Sequence, residues 1–246
     1  MLERLMTVLC IGGLDPLGRA GLIVDHIACA DYGVDANLVC TALTAQDNES
    51  CLVESVEPGF FADQLRVVFR THSEIVVKVG WLTGEAQLKV LLDLLPADAP
   101  LVVDPLLRTS SGTEVYRGDI KSDLYRAYIR RSDLFTPNLI EAQAWLDSTS
   151  FDAADLASGL QLNGARRVLL KGGHSDGESI DDFFIDEDGT SRIFRHERYS
   201  GVHRGTGCRL ASAVAARLSQ GVGYERSIAD SIEWLSRQIE AAAAAY

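Results

Sequence analysis

Six short apolar runs punctuate the chain, each closed by glycine, proline or polar residues, with helical rhythms between them. Residues 5–11, 36–45, 75–79, 101–103, 134–135 and 167–170 are too short and too continuously apolar for amphipathic helices. Strands buried on both faces have this look, and such strands belong to parallel sheets. Residues 22–32, 60–69 and 139–146, the small-residue run after Gly207 and the segment from Tyr224 read as helices. Residues 183–185 and 193–194 flank Glu187-Asp188-Gly189, which predicts an antiparallel hairpin. Strands alternating with helices predict an α/β fold: a mainly parallel central sheet with helices on both faces. No repeat, low-complexity run or linker divides the sequence, so residues 1–246 read as one domain.

The candidate chemistry lies in loops that follow strands, where open α/β sheets bind ligands. The organising stretch is Gly201-Val202-His203-Arg204-Gly205-Thr206-Gly207-Cys208-Arg209-Leu210-Ala211-Ser212-Ala213, with no breaker until Gly221. Glycines before a helix turn the backbone sharply and aim its free N–H groups at an anion, helped by the helix dipole. The alternative is a tight loop into a closely packed helix. The first strand leads into Gly12-Gly13-Leu14-Asp15-Pro16-Leu17-Gly18-Arg19-Ala20-Gly21, which fails the G-x-G-x-x-G fingerprint and is too long for its turn. No G-x-x-x-x-G-K-[ST] loop occurs either. Asp25 falls in the first turn of the next helix, facing that loop or capping it.

Gln46-Asp47-Asn48 ends the second strand, and the Gln46 amide can both donate to and accept from a heteroaromatic ring edge. A plain polar turn is the alternative. Trp81 offers a flat face after the 75–79 strand. Asp104 follows an apolar strand directly, a usual place for metal or phosphate chemistry. Asn138 and Glu141 share a helix face, and as N-cap and N3 they also match a capping box. Lys171 opens Lys171-Gly172-Gly173-His174 after the 167–170 strand.

Composition narrows the classes. The formal charge is 23 − 35 = −12, so the surface repels polyanions, and no basic run argues for a nucleic-acid partner. No apolar stretch reaches membrane-spanning length. Five cysteines without C-x-x-C, and no secretory pattern at the start, point to a reducing cytoplasmic setting. Five scattered histidines make structural zinc a poor fit.

In this order the loops resemble the hydroxymethylpyrimidine and phosphomethylpyrimidine kinases of thiamine synthesis, within the ribokinase-like superfamily. The resemblance rests on Gly13-Leu14-Asp15-Pro16…Gly18…Ala20-Gly21…Asp25, Thr41-Ala42-Leu43-Thr44-Ala45-Gln46 and Lys78-Val79-Gly80-Trp81-Leu82. It continues through Val103-Asp104-Pro105…Ser111-Gly112, Thr136-Pro137-Asn138…Glu141-Ala142, Lys171-Gly172-Gly173-His174 and Gly205-Thr206-Gly207-Cys208. It implies a ribokinase-like three-layer sandwich, use of ATP and Mg2+, a small pyrimidine alcohol as acceptor, and a homodimer. Gln46, the Gly12 backbone and Trp81 would hold the ring, and Asp25 would place its hydroxymethyl arm. Gly205, Thr206 and Gly207 would receive the transferring phosphate, with Cys208 as a modest base. Asn138, Glu141 and Asp104 would organise magnesium water, with Lys171 near the nucleotide.

The chain departs from the family pattern at Leu14, Arg19, Trp81, Ser110, Val202-His203-Arg204 and Arg209. Two alternatives stay open: a pyridoxal or pyridoxine kinase, and a non-catalytic pyrimidine-binding sensor.

Overall fold

The computed structural model describes residues 7–46, 51–107, 115–172, 178–199 and 204–244, with Gln46 described in its backbone only. Asp47, Asn48, Ser110, Ser111, Gly112, Gly173, His174, Gly201, Val202 and His203 lie outside the described residues.

Strands β1 (Thr7–Leu14), β2 (Ala36–Gln46), β3 (Cys51–Ser55), β4 (Ile75–Val79) and β5 (Leu101–Val103) alternate with helices α1 (Gly21–Asp31), α2 (Pro58–Thr71) and α3 (Glu85–Leu94). Helix α4 (Asp123–Arg131), β6 (Leu134–Phe135), α5 (Leu139–Leu146), α6 (Ala153–Leu162) and β7 (Val168–Leu170) follow. The hairpin β8 (Ser179–Ile185) and β9 (Ser191–Glu197), then α7 (Thr206–Ser219) and α8 (Tyr224–Ala244), complete the chain. One sheet runs in the order β3-β2-β1-β4-β5-β6-β7-β8-β9. The core from β2 to β7 is parallel, and β3, β8 and β9 pair antiparallel at its ends.

The period of two along each strand builds the layers. On β1, Leu9 and Ile11 face α2–α6, while Val8 and Cys10 face α1, α7 and α8. Val77 and Val79 of β4 and Leu101 and Val103 of β5 repeat the first face, and Val76 and Val102 repeat the second. This is the expected three-layer sandwich. Helix α7 is buried along Leu210–Ala216 because small side chains let it lie close to the sheet.

Several expected boundaries move. β1 continues through Gly12 and Gly13 to Leu14, so the first loop begins later than the glycines suggest. Ladder pairing to β2, with one bulge where Gly12 faces Cys40 and Gly13 faces Ala42, carries the strand through both glycines. Arg167 lies just outside β7. The hydrophobic pattern does not single out β3, α3, α4 or α6. α4 is the most polar of them, and its burial rests on Tyr125, Tyr128 and Ile129. Among the described residues no helix is long and apolar enough to cross a membrane.

Candidate active site

The sheet order reverses between β1 and β4: β2 lies beyond β1 on one side, and β5 beyond β4 on the other. Parallel α/β sheets open a crevice at such a switch point, outside the carboxyl ends of the strands. Gly12, Gly80, Asp104, Asn138 and Lys171 all sit at or just after those ends, and α7 begins across from them.

Gly205 starts α7 in the left-handed region at φ 75°, and a Cβ there would lie 2.3 Å from the Arg19 carbonyl oxygen. Only glycine allows both the turn and that approach. Gly21 does the same at the other end of the first loop: its φ is 62°, and a Cβ would lie 2.1 Å from the Gly13 oxygen. Asp15 folds the loop between them, accepting from the Leu17 and Arg19 N–H groups at 3.1 and 3.0 Å. The loop therefore closes against the start of α7. Gly205 supplies no side-chain cap. The N–H groups of Thr206, Gly207 and Cys208 open a helix, where backbone donors lack intrahelical acceptors and can seat an anion.

Beside the seat stand the acidic groups. Lys171 Nζ donates to Asp104 Oδ1 at 2.5 Å. A Cβ on Gly207 would lie 3.1 Å from Lys171 Nζ and 3.4 Å from Asp104 Oδ2. The ion pair is thus in contact with the first turn of α7. Burial would lower the Lys171 pKa, but Asp104 and Glu141 override it and hold the ammonium charged.

Asn138 Oδ1 accepts from Glu141 N–H at 2.9 Å, and Glu141 Oε2 accepts from Asn138 N–H at 2.8 Å, so the capping box is formed. Glu141 is 8% exposed. Burial, with Asp104 nearby, pushes its carboxyl up to about 7, against the pull of Lys171.

Among the described residues no three carboxylate, histidine or cysteine side chains gather as a cage for a metal ion. Two oxygen donors, Asp104 and Glu141, beside an anion seat do suit Mg2+. That ion keeps much of its water and takes one or two carboxylates together with substrate phosphates.

Two expectations change here. Asp25 does not cap α1: Ala20 is the N-cap, and Asp25 lies a turn further in and wholly buried. Its Oδ1 accepts from Lys78 Nζ and from Ser212 Oγ, both at 2.8 Å, and its Oδ2 has no partner among the described residues. A Cβ on Gly12 would lie 3.8 Å from that free oxygen.

Trp81 is not an open platform. It is 8% exposed, its Nε1 donates to the Val115 carbonyl at 2.8 Å, and its ring lies against Gly13, where a Cβ would come within 2.6 Å of it. Large aromatic area is buried where a glycine leaves room for it.

Cys208 lies in the first turn of α7. A helix N-terminus favours a thiolate, but burial pushes the Cys208 thiol up to about 11; Lys78 pulls it down, and Asp25 and Asp104 push the other way. The thiol is therefore neutral near pH 7.

Lys78 and Ser212 received no role from the sequence. The signal for Lys78 was present: a lysine inside the apolar run Ile75-Val76-Val77-Lys78-Val79 is buried only with a partner. Nothing local marks Ser212, which is one small residue among many in α7.

The family model for phosphomethylpyrimidine kinase matches residues 15–245. A hydroxymethylpyrimidine/phosphomethylpyrimidine kinase of Rhizobium meliloti is 31% identical over 240 residues, which is 95% of this chain and 90% of that protein. A chloroplastic thiamine biosynthetic bifunctional enzyme of Arabidopsis thaliana is 34% identical over 231 residues, 89% of this chain but only 44% of that longer protein. Among solved structures, phosphomethylpyrimidine kinase from Clostridium difficile 630 superimposes with a TM-score of 0.80 at 25% identity, covering 95% of this chain and 99% of that one. Pyridoxal kinase from Staphylococcus aureus, in complex with pyridoxal, gives 0.83 at 22% identity over 96% and 88% of the two chains, a likeness of fold.

Proposed function

The chain belongs to the phosphomethylpyrimidine kinase family, and on that premise we propose that it phosphorylates the hydroxymethyl group of 4-amino-5-hydroxymethyl-2-methylpyrimidine, its monophosphate, or both, using ATP. The observation that carries this reading is the anion seat at Gly205–Cys208 in contact with the Lys171–Asp104 pair. Phosphoryl transfer asks a protein mainly for positioning and charge neutralisation, and this arrangement offers both.

In this reading the N–H groups of Thr206, Gly207 and Cys208 receive the transferring phosphate. The Cys208 thiol is neutral at rest; after releasing its proton to water, the thiolate takes the alcohol proton as phosphoryl transfer proceeds and so returns to the thiol. Lys171 neutralises phosphate charge and orients Asp104. Asp104 and Glu141, with Asn138 beside them, would hold Mg2+ through water, and that ion would supply positive charge to offset the phosphates. Gln46 and the Gly12 backbone hold the ring, and Asp25 takes its hydroxymethyl arm.

The setting is a reducing cytoplasm, consistent with Cys10, Cys29, Cys40 and Cys208 as free thiols. A homodimer belongs to the same reading. Leu43 and Leu52, on one face of the β2–β3 ladder, are 50% and 70% exposed, an apolar pair that a second copy would cover.

The test is incubation of the protein with ATP, Mg2+ and, separately, the pyrimidine alcohol, its monophosphate and pyridoxal, with products identified by mass. Phosphorylated pyrimidine is expected. Equal or greater turnover of pyridoxal would reassign the acceptor, and tight binding of the pyrimidine without any product would make the chain a sensor.

A further inference from the structure

We propose that Lys78 and Ser212 are positioning residues that grip Asp25 by one carboxylate oxygen and leave the other aimed at an O–H or N–H donor of the acceptor molecule. The proposal rests on the reading that Asp25 meets the acceptor.

Three elements distant in sequence converge on this carboxylate. α1 brings Asp25, the sheet-facing side of α7 brings Ser212, and the alternation of β4 turns Lys78 into the seam between those helices. Both donors choose the same oxygen: Lys78 Nζ and Ser212 Oγ each lie 2.8 Å from Asp25 Oδ1. Rotating the carboxylate would break both bonds together, so its orientation is fixed.

Lys78 is equally fixed. It is 0% exposed, and its Nζ sits 3.1 Å from the place a Cβ on Gly80 would occupy. Burial alone would discharge it, but Asp25 overrides that and keeps the ammonium charged.

The second oxygen is the anomaly. A carboxylate offers about four acceptor positions, and buried ones are nearly always satisfied. Asp25 Oδ2 is buried and accepts from nothing among the described residues. Its neighbourhood is the Gly12 bulge of β1, 3.8 Å from where a Cβ would stand, on the rim of the switch-point crevice. An unmet buried acceptor is costly, so a site that holds one ready gains most from a ligand that supplies the donor. A loose aspartate would turn both oxygens to Lys78 or to water. The double grip on Oδ1 prevents this, and so selects acceptors that carry a donor at that point.

Calorimetry of the whole protein tests this, with the pyrimidine alcohol and a non-hydrolysable ATP analogue titrated separately. Ser212→Ala is expected to weaken alcohol binding roughly 10- to 150-fold, the range for a lost hydrogen bond to a charged group. The ATP analogue should stay within twofold of its wild-type affinity. Ser212→Thr, which keeps the hydroxyl, should recover most of the loss, and Lys78→Met should weaken alcohol binding at least as much as Ser212→Ala. Should Lys78→Met fail to fold, the Ser212 pair still decides. Asp25→Asn separates the two layers of the argument. If it weakens alcohol binding while Ser212→Ala changes neither ligand, or both alike, the positioning role is wrong and the Asp25 contact survives. If Asp25→Asn leaves alcohol binding unchanged, the contact itself is wrong and the proposal goes with it.

Discussion

Lys171 and Asp104, 67 residues apart, form an ion pair whose lysine nitrogen and second carboxylate oxygen both press on the Gly207 turn of α7. The side chains are only 16% and 6% exposed, so each neutralises a charge the other could not leave in a dry site. Removing one partner of such a pair strands the other, a loss of about 3–5 kcal/mol. Lys171→Met is therefore expected to lower the melting temperature and weaken ATP. Lys171→Met with Asp104→Asn should recover stability without recovering ATP affinity. Thermal denaturation and nucleotide titration of both variants check this, and a double variant as unstable as the single one would contradict the pairing argument.

Glu141 makes stability depend on pH. Its carboxyl is raised from 4.5 to about 7 in the folded protein. Between those values the folded state holds a proton that the unfolded state has released, so its contribution falls as pH rises. Once the pH is above about 7, the full cost is on the order of 3 kcal/mol. Melting curves should show the wild type losing more stability between pH 5 and 8 than Glu141→Gln, because the amide has no proton to lose and still completes the capping box. If Glu141 also holds magnesium water, Glu141→Gln should lose activity strongly and regain part of it at high magnesium. An early-melting variant with full activity would leave only the cap.

Cys208 is expected to be essential as an acceptor of the alcohol proton, although its thiol is neutral at rest. Cys208→Ala should lose roughly 10²–10⁴-fold in kcat, the span of a general base, with ATP affinity nearly unchanged. Cys208→Asp should retain more activity than Cys208→Ala. Alkylation by iodoacetamide should be slow at pH 7 and rise steeply toward the raised thiol pKa of about 11. Turnover by the alanine variant within a few-fold of wild type would assign the thiol to packing.

For the acceptor, the pyrimidine alcohol should have the higher kcat/KM when compared with pyridoxal. Gln46→Leu should cost about 1–3 kcal/mol of it, since the ring's polar edge would be left unpaired. Steady-state kinetics on both alcohols measure this. An unchanged kcat/KM in the variant removes Gln46 from the pocket.

Arg204 adjoins the anion seat, and the Arg19 backbone touches Gly205 from the facing loop. An arginine at either place adds positive charge near a phosphorylated acceptor. Arg204→Ala should raise KM for the pyrimidine monophosphate more than for the free alcohol. Equal changes in the two KM values would remove Arg204 from phosphate recognition.

By itself the sequence determined the layered fold and where its loops gather. Short runs such as Leu101–Val103 and Leu134–Phe135 are legible because a strand buried on both faces has no other reading, and Asp104 and Asn138 stand out by ending them. The Gly205-Thr206-Gly207 turn is equally local, and so is the Asn138–Glu141 box, whose spacing already contained both bonds. Tertiary structure alone decided the rest. Asp25 reads as a cap until β4 and α7 bring Lys78 and Ser212 to it, and those partners lie 53 and 187 residues away. Trp81 reads as an open face until Gly13 and Val115 close on it, and how far the Cys208 thiol is raised depends on the neighbours that bury it. The dividing line is physical: hydrophobic period and backbone turns are written within a few residues, whereas burial and charge partners exist only once distant segments meet.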